Sequence, residues 1–289
     1  GDSLSRIVYV NGEYAPEETA KISIFDRGFI FGDGVYEVVP VVTGKLVDRD
    51  YFLERLDRSL SELSITWPCS QREYLDIMQE LISRNNLEEG FVYSQVTRGI
   101  ADRDFAFPVD TAPSLVAFTC EMNLLNNPLA ESGIAVTTSE DIRWKRRDIK
   151  SINLLAQCLA KQDAHSKGAS EGWMVEDGFV TEGVSSSAYI VVEKKIITRP
   201  LSNLVLPGIR RRTLIEIAER EGIELEQRLF TIEEALEADE AFISSATTIT
   251  LPVVSINGEQ VADGKPGEIT EKLRKLYIEK LLEEAKNAE

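Results

Sequence analysis

Histidine is almost missing from this chain: among 289 residues there is one, His165. Metal centres built on several histidines are thereby excluded, and a Ser–His or Cys–His nucleophile pair would have to use that one side chain. It stands in AKQDAHSKGASEG, near the end of an expected helix and before a glycine loop, where a solvated helix-end histidine is the plain reading. Cysteine is scarce as well. Cys69, Cys120 and Cys158 are odd in number and far apart, without CxxC spacing, which argues against a metal site or disulfide framework and for a reducing cytoplasm. No apolar run approaches the ~20 residues of a bilayer span, and the opening GDSLSRIVYV lacks the run of a secretory signal. Cations are in deficit: 32 Lys and Arg against 49 Asp and Glu leave a net charge of −17. Such a chain is repelled by phosphate backbones and anionic lipid heads, so neither nucleic acid nor a membrane surface is expected as a partner. Any chemistry must then run on Lys, Arg, Tyr, carboxylates or a cofactor.

What is present is a globular balance, with 43% hydrophobic and 28% charged residues. At ~100–200 residues per domain the length suits two domains. Asn11-Gly12, Thr43-Gly44 and Asp177-Gly178 each sit between apolar runs and predict tight hairpins. Helical spacing predicts one helix with Phe52, Leu53, Leu56, Leu60 and Leu63 on its stripe, and a second over about 73–85. Residues 91–97 and 114–120 read as buried strands. Turn formers from Asn123 to Pro128 mark the best linker, which gives residues 1–121 as an N-terminal α+β domain, 122–134 as linker and 135–289 as the second domain. Beyond it come a cationic patch over 143–147 and a helix from near Ser151 to Lys167, with Leu154, Leu155, Cys158 and Leu159 inward. A helix opened by Pro207-Gly208, a Thr231–Glu234 capping box and an amphipathic helix from Glu268 follow.

Among the candidate functional residues, Lys150 lies between Ile149 and Ile152, behind a cationic run. Desolvation and like charge both penalise an ammonium, and a free amine is what imine formation with a carbonyl requires. A surface lysine finishing a basic patch is the alternative. Glu182 ends a strand at the turn Thr181–Ser187, where a carboxylate could orient a cofactor nitrogen or be an exposed loop acid. Pro207-Gly208-Ile209-Arg210 presents free backbone N–H groups at a helix start, as every helix does, and can cradle a phosphate. Ser244–Thr248 is a second small-residue turn of that kind. A reactive lysine, a distant carboxylate and two such turns are the parts a pyridoxal phosphate site requires.

FGDGVYEVV, FLERLDRS, DIKSINLLAQCLAKQDA, VTEGVSSS, LPGIRRRTL and DEAFISSATTITLPV occur in this order. That series resembles the fold-type IV (class IV) pyridoxal phosphate aminotransferases over nearly the whole chain. The resemblance implies an α+β, two-domain homodimer, with a small α/β N-terminal domain and a larger β-barrel-like C-terminal domain, 135–289, that binds pyridoxal 5′-phosphate between the two. It implies Lys150 as the imine lysine, Glu182 as partner of the pyridine nitrogen, and Arg55 as a phosphate ligand. Ile209 and Arg210 would form the phosphate-binding helix start, and Ser245 and Ala246 the second phosphate turn. Within the family the D-amino-acid aminotransferase branch is nearest. There Tyr36 would line the substrate side, and the loop VTRGIADRDFAFP, reaching over from the partner subunit, would bring Arg103 to the substrate carboxylate with Phe105 beside it. The implied reaction is ping-pong transfer between a D-amino acid, such as D-alanine, and a 2-oxo acid such as pyruvate or 2-oxoglutarate. Three positions depart from the branch: Phe105 replaces a histidine, and Ala246 and Arg210 replace threonines. The scaffold also hosts branched-chain L-aminotransferases, against which the Arg103 loop argues, (R)-amine transaminases, which a more apolar pocket at Phe105 would suit, and aminodeoxychorismate lyases. A non-catalytic binding protein would have no need of both Lys150 and Glu182.

Overall fold

The computed structural model describes residues 5–288. The first four residues of GDSLSRIVYV lie outside them. The chain divides into two compact units.

The first unit takes residues up to Asn123, a short return at Ile149–Asn153, and the chain from Leu281. Its frame is an antiparallel sheet of β1 (Ile7–Val10), β2 (Glu13–Pro16), β3 (Gly34–Val42), β4 (Lys45–Leu46), β5 (Gly90–Thr97) and β6 (Ser114–Glu121), ordered β2-β1-β6-β5-β3-β4. The two hairpins foreseen at its ends are present. Asn11 and Gly12, then Thr43 and Gly44, all adopt positive φ, which the tight primed turns need at both central residues. Burial alternates along β5, as a sheet with one covered face requires. The cover comes from α2 (Arg49–Glu62) against β3 and α3 (Gln71–Arg84) against β1 and β6. Phe52, Leu56 and Leu60 from α2 and Met78 and Leu81 from α3 are fully buried with Val35, Val39, Val41 and Val92. A short α1 (Arg27–Phe31), capped by the Asp26 carboxylate on the Gly28 N–H at 2.8 Å, precedes β3.

The second unit carries α4 (Leu129–Ser132), β7 (Ile134–Glu140), α5 (Leu155–Ser166), β8 (Glu171–Glu176), β9 (Phe179–Gly183), β10 (Ser187–Val192), β11 (Lys195–Thr198), α6 (Ile209–Arg220), β12 (Leu225–Gln227), α7 (Ile232–Glu237), β13 (Glu240–Ser245), β14 (Ile249–Ile256), β15 (Glu259–Gln260) and most of α8 (Glu268–Asn287). Its nine strands run β12-β11-β10-β13-β14-β7-β8-β9, with β15 on β14. The sheet curls into a half-barrel that brings β9 back against β10. Trp173, Val180, Ile190, Phe230, Ile243 and Val253 fill its interior. The Thr231 capping box is formed, the hydroxyl accepting from Glu234 N–H and the Glu234 carboxylate from Thr231 N–H.

Three expectations are corrected. The helix foreseen from Ser151 starts at Leu155, because residues 150–152 are spent on the open edge of β3. Tyr36 N–H donates to the Lys150 carbonyl (3.0 Å), Ile152 N–H donates to the Gly34 carbonyl (3.1 Å), and Ser151 bridges Val35. Leu155, Cys158 and Leu159, expected inward, are exposed, and Ala164 is the buried residue of α5. Periodicity finds an apolar face without saying what covers it. The boundary at 122–134 is also incomplete: 135–148 lie in the second unit, but Lys150 and its neighbours pair with β3 and fold in the first. His165 lies in the last turn of α5, exposed.

Candidate active site

In the first unit, Lys150 is half-buried. Its backbone N–H donates to Ser59 Oγ on α2 (3.4 Å), its carbonyl accepts from Tyr36, and its Nζ stands 4.3 Å from the centroid of the Tyr36 ring. Backbone pairing with β3 therefore sets where this lysine begins, and the Tyr36 ring flanks where it ends. Tyr36 itself stacks on Tyr93 (5.6 Å between centroids), whose hydroxyl burial holds its pKa up at about 12. Arg55, one turn before Ser59 on α2, is buried and paired with Glu37 through Nη2–Oε1 at 2.6 Å and Nε–Oε2 at 2.9 Å. Two parallel charge-assisted bonds fix the plane of that guanidinium. Arg103 and Phe105 sit together on the loop after β5, the guanidinium carbon 5.1 Å from the Phe105 ring and 5.4 Å from that of Phe31. Phe105 is 75% exposed.

In the second unit, Glu182 near the end of β9 is buried, and its Oε2 accepts from Leu206 N–H at 2.8 Å. Arg143 faces it at 3.5 Å and forms a fork with Asp141 at 2.7 and 3.0 Å, while Thr181 Oγ1 donates to the same Asp141 at 2.7 Å. Arg147 joins from the other side, 3.3 Å from Asp141 and 2.6 Å from Glu176. The cationic run read from sequence is thus partly an internal network rather than a patch: Arg143 and Arg147 are buried in ion pairs. Burial pushes the Asp141 carboxyl up, but the Arg143 hydrogen bonds and charge and the Thr181 hydroxyl outweigh it, leaving it below the usual carboxylate range. Burial likewise pushes Arg143 down, and its bonds to Asp141 and the Glu182 charge turn that into a net rise.

The two small-residue turns lie on the same unit. Gly208 caps α6 in extended conformation, and a Cβ there would stand 2.8 Å from Ser187 Oγ, so a larger residue would turn that hydroxyl aside. Ile209 and Arg210 open the helix, where N–H groups lack intrahelical acceptors. The Arg210 side chain, which stands where the branch has a threonine, is 1% exposed and turns to carbonyls, donating to those of Ala246 at 2.8 Å and Ser245 at 3.3 Å and to Tyr277 Oη at 3.0 Å. Ser245 and Thr248 exchange a hydroxyl bond, and Ile249 follows at φ +61°. A β-branched residue in the left-handed region is strained and must be held there. Arg274 of α8 does so, with Nη1 donating to the carbonyls on either side, Thr248 (2.7 Å) and Thr250 (2.6 Å). Two guanidinium groups take the carbonyls of this turn, and its Thr248 N–H donates to Ser245 Oγ at 3.1 Å.

Sequence reasoning missed Glu37, Asp141, Arg274 and the strain at Ile249. Glu37 alone had a visible signal, a carboxylate inside the apolar strand run VYEVVPVV. Asp141 lies beside its arginines in sequence, but only burial makes the pairing obligatory; Arg274 depends on contacts with residues two dozen or more positions away.

The family model "Amino-transferase class IV" matches residues 34–256. The chain is 41% identical over 276 residues to a D-alanine aminotransferase of Staphylococcus haemolyticus, covering 94% of this chain and 98% of that one. A D-alanine aminotransferase of Bacillus licheniformis is 36% identical over 277 residues, covering 96% and 98%. Among solved structures, the Escherichia coli branched-chain amino acid aminotransferase superposes with TM-score 0.90 at 22% identity, covering 96% and 95%. The branched-chain aminotransferase of Thermoproteus uzoniensis with norvaline gives 0.86 at 24%, again covering 96% and 95%. At such identity the structural likeness speaks for the fold alone, whereas the profile and the closer sequences decide membership: this chain belongs to the class IV aminotransferases and is an enzyme of amino-group transfer.

Proposed function

We propose that this chain moves the amino group of a D-amino acid, D-alanine foremost, to a 2-oxo acid in ping-pong order, with pyridoxal 5′-phosphate as carrier. The observation that carries the substrate is the 36–41% identity, nearly full length, to relatives named D-alanine aminotransferase. The residues suit the carrier by their own chemistry. A carbonyl-clamped turn and a helix start offer N–H donors for a phosphate, and Glu182 is a buried carboxylate held by Leu206 and Arg143. When bound, the cofactor supplies an aldehyde that takes up the amino group and a ring that accepts electrons from the substrate Cα.

The chain's own residues do the rest. Lys150 Nζ would hold the aldehyde of the bound cofactor and, as a free amine, would be the base that takes the substrate Cα proton. Glu182 holds a proton at the pyridine nitrogen. Arg55, its guanidinium oriented by Glu37, and the amides of Ile209, Arg210, Ser245 and Ala246 would bind the phosphate. Tyr36 walls the reacting amine, and Arg103, on the loop that would reach over to the other subunit's site, pairs with the substrate carboxylate there, so that the face presented to the imine lysine follows from where the carboxylate is held. Phe105 makes that wall apolar where the branch uses histidine. The working form is a homodimer in the cytoplasm, a placement that the three unpaired thiols Cys69, Cys120 and Cys158 favour. Among the described residues no helix is long and apolar enough to cross a membrane.

The test is turnover of each alanine enantiomer with 2-oxoglutarate by purified enzyme loaded with pyridoxal phosphate. D-alanine is expected to be consumed, and Lys150→Ala to lose at least about 1000-fold in rate. Consumption of L-alanine alone, or a fully active Lys150→Ala, overturns the reading.

A further inference from the structure

The loop between β5 and β6 is fastened to α1 by a buried ion cluster, and the fastening ends on the residues that flank Arg103. Arg27, 3% exposed, pairs through Nε with Asp33 Oδ2 at 2.8 Å. Its Nη1 donates to the carbonyl of Asp104 and its Nη2 to that of Phe105 (3.4 Å), the two residues directly after Arg103. Its backbone N–H donates to the Gly99 carbonyl at the loop's entry (2.8 Å). Gly99 has φ +116°, and a Cβ there would lie 2.2 Å from the Ala112 carbonyl, so the loop's two ends pass too closely for a side chain. Asp33 is shared with Arg98, through Nε at 2.8 Å and Nη2 at 3.2 Å. The Phe31 ring, packed 5.4 Å from that of Phe105, lies 4.5 Å from the Arg27 guanidinium and 5.4 Å from that of Arg103.

Arg103 itself is exposed, and a long exposed side chain keeps its rotamer freedom unless its backbone and one face are fixed. Arg27 fixes the backbone, and Phe31 with Phe105 covers the face. We propose that Arg27, held by Asp33 and roofed by Phe31, is a positioning residue for substrate binding that presents Arg103 to the carboxylate of amino acid and oxo acid alike. This rests on the reading of Arg103 as the carboxylate ligand.

The experiment is steady-state kinetics of Arg27→Lys, Arg103→Ala and the double variant with D-alanine and pyruvate. Lysine keeps the charge but cannot pair with Asp33 and reach two carbonyls at once, and Asp33 retains Arg98, so the fold is expected to hold. Arg27→Lys should raise KM for both substrates about tenfold with kcat within about twofold. On the Arg103→Ala background it should add nothing, which a merely structural role would not produce. Arg103→Ala with KM unchanged removes the carboxylate reading and this inference with it. A raised KM in Arg103→Ala but not in Arg27→Lys, or effects that multiply in the double variant, overturns this inference alone. Should Arg27→Lys not fold, Phe31→Leu carries the test outside the ion pair. There an expected rise of about threefold, again absent on the Arg103→Ala background, supports the proposal, and an unchanged KM overturns it.

Discussion

Asp141 is shared by two buried arginines and a threonine hydroxyl, and through Arg143 it sets the surroundings of Glu182. Its carboxyl is depressed, so the sign of its linkage is fixed. The stability it contributes is present above the ordinary carboxylate value of ~3.9 and is lost as pH falls through the lower folded-state value. Urea unfolding midpoints between pH 7 and pH 3 should decline at the acid end in the natural sequence. Asp141→Asn should be less stable at neutral pH, because two buried guanidinium groups lose their shared anion, and its acid decline should be shallower. A parallel acid limb in both proteins would show that Asp141 is not the group titrating. Nothing in the spacing of Asp141, Arg143 and Arg147 distinguished this arrangement from a solvated charge run; only burial turned proximity into an obligatory pairing.

Secondary-structure elements were read well where the signal is local. The hairpin turns, α2, α3, α6 and the α7 cap follow from positive-φ residues, 3.6-residue stripes and a capping box, all of which act within a few positions. Local periodicity extends the helix back to Ser151, whereas Ser151 and Ile152 pair with β3, more than a hundred residues earlier. The turn after β13 shows what an element can require from afar. Ile249 keeps its positive φ while Arg274 of α8 holds the carbonyls on both sides and also reaches that of Leu124. Arg274→Met keeps the apolar stem but releases three carbonyls. It should lower stability by about 2 kcal/mol in denaturant unfolding of the cofactor-free protein, and weaken pyridoxal phosphate binding, read from its visible absorbance. An unchanged affinity would mean that the turn keeps its shape unaided.

At the scale of the molecule, the first unit shows a row of large apolar side chains to solvent, with Ile24 and Phe29 each 68% exposed, Val109 85%, and Phe107 among them. Exposed apolar surface of this extent is what the proposed homodimer contact would cover. Light scattering should give twice the chain mass, and Phe29→Glu should shift the population toward monomer with loss of activity. A monomeric, active natural protein would refute the dimer. By itself, the sequence narrowed the chemistry, since one histidine and three scattered cysteines left Lys, Arg, Tyr, carboxylates or a cofactor, and it determined the elements whose signals are local. The ordered motifs pointed to the family before any fold was known. Only the tertiary structure decided which charges are buried, that Lys150 belongs with β3 rather than with the helix that follows it, and that Arg210 and Arg274 hold carbonyls rather than meet solvent. The reason is physical. Periodicity and turn chemistry act over a few residues, whereas desolvation and long-range hydrogen bonds exist only after distant segments have met.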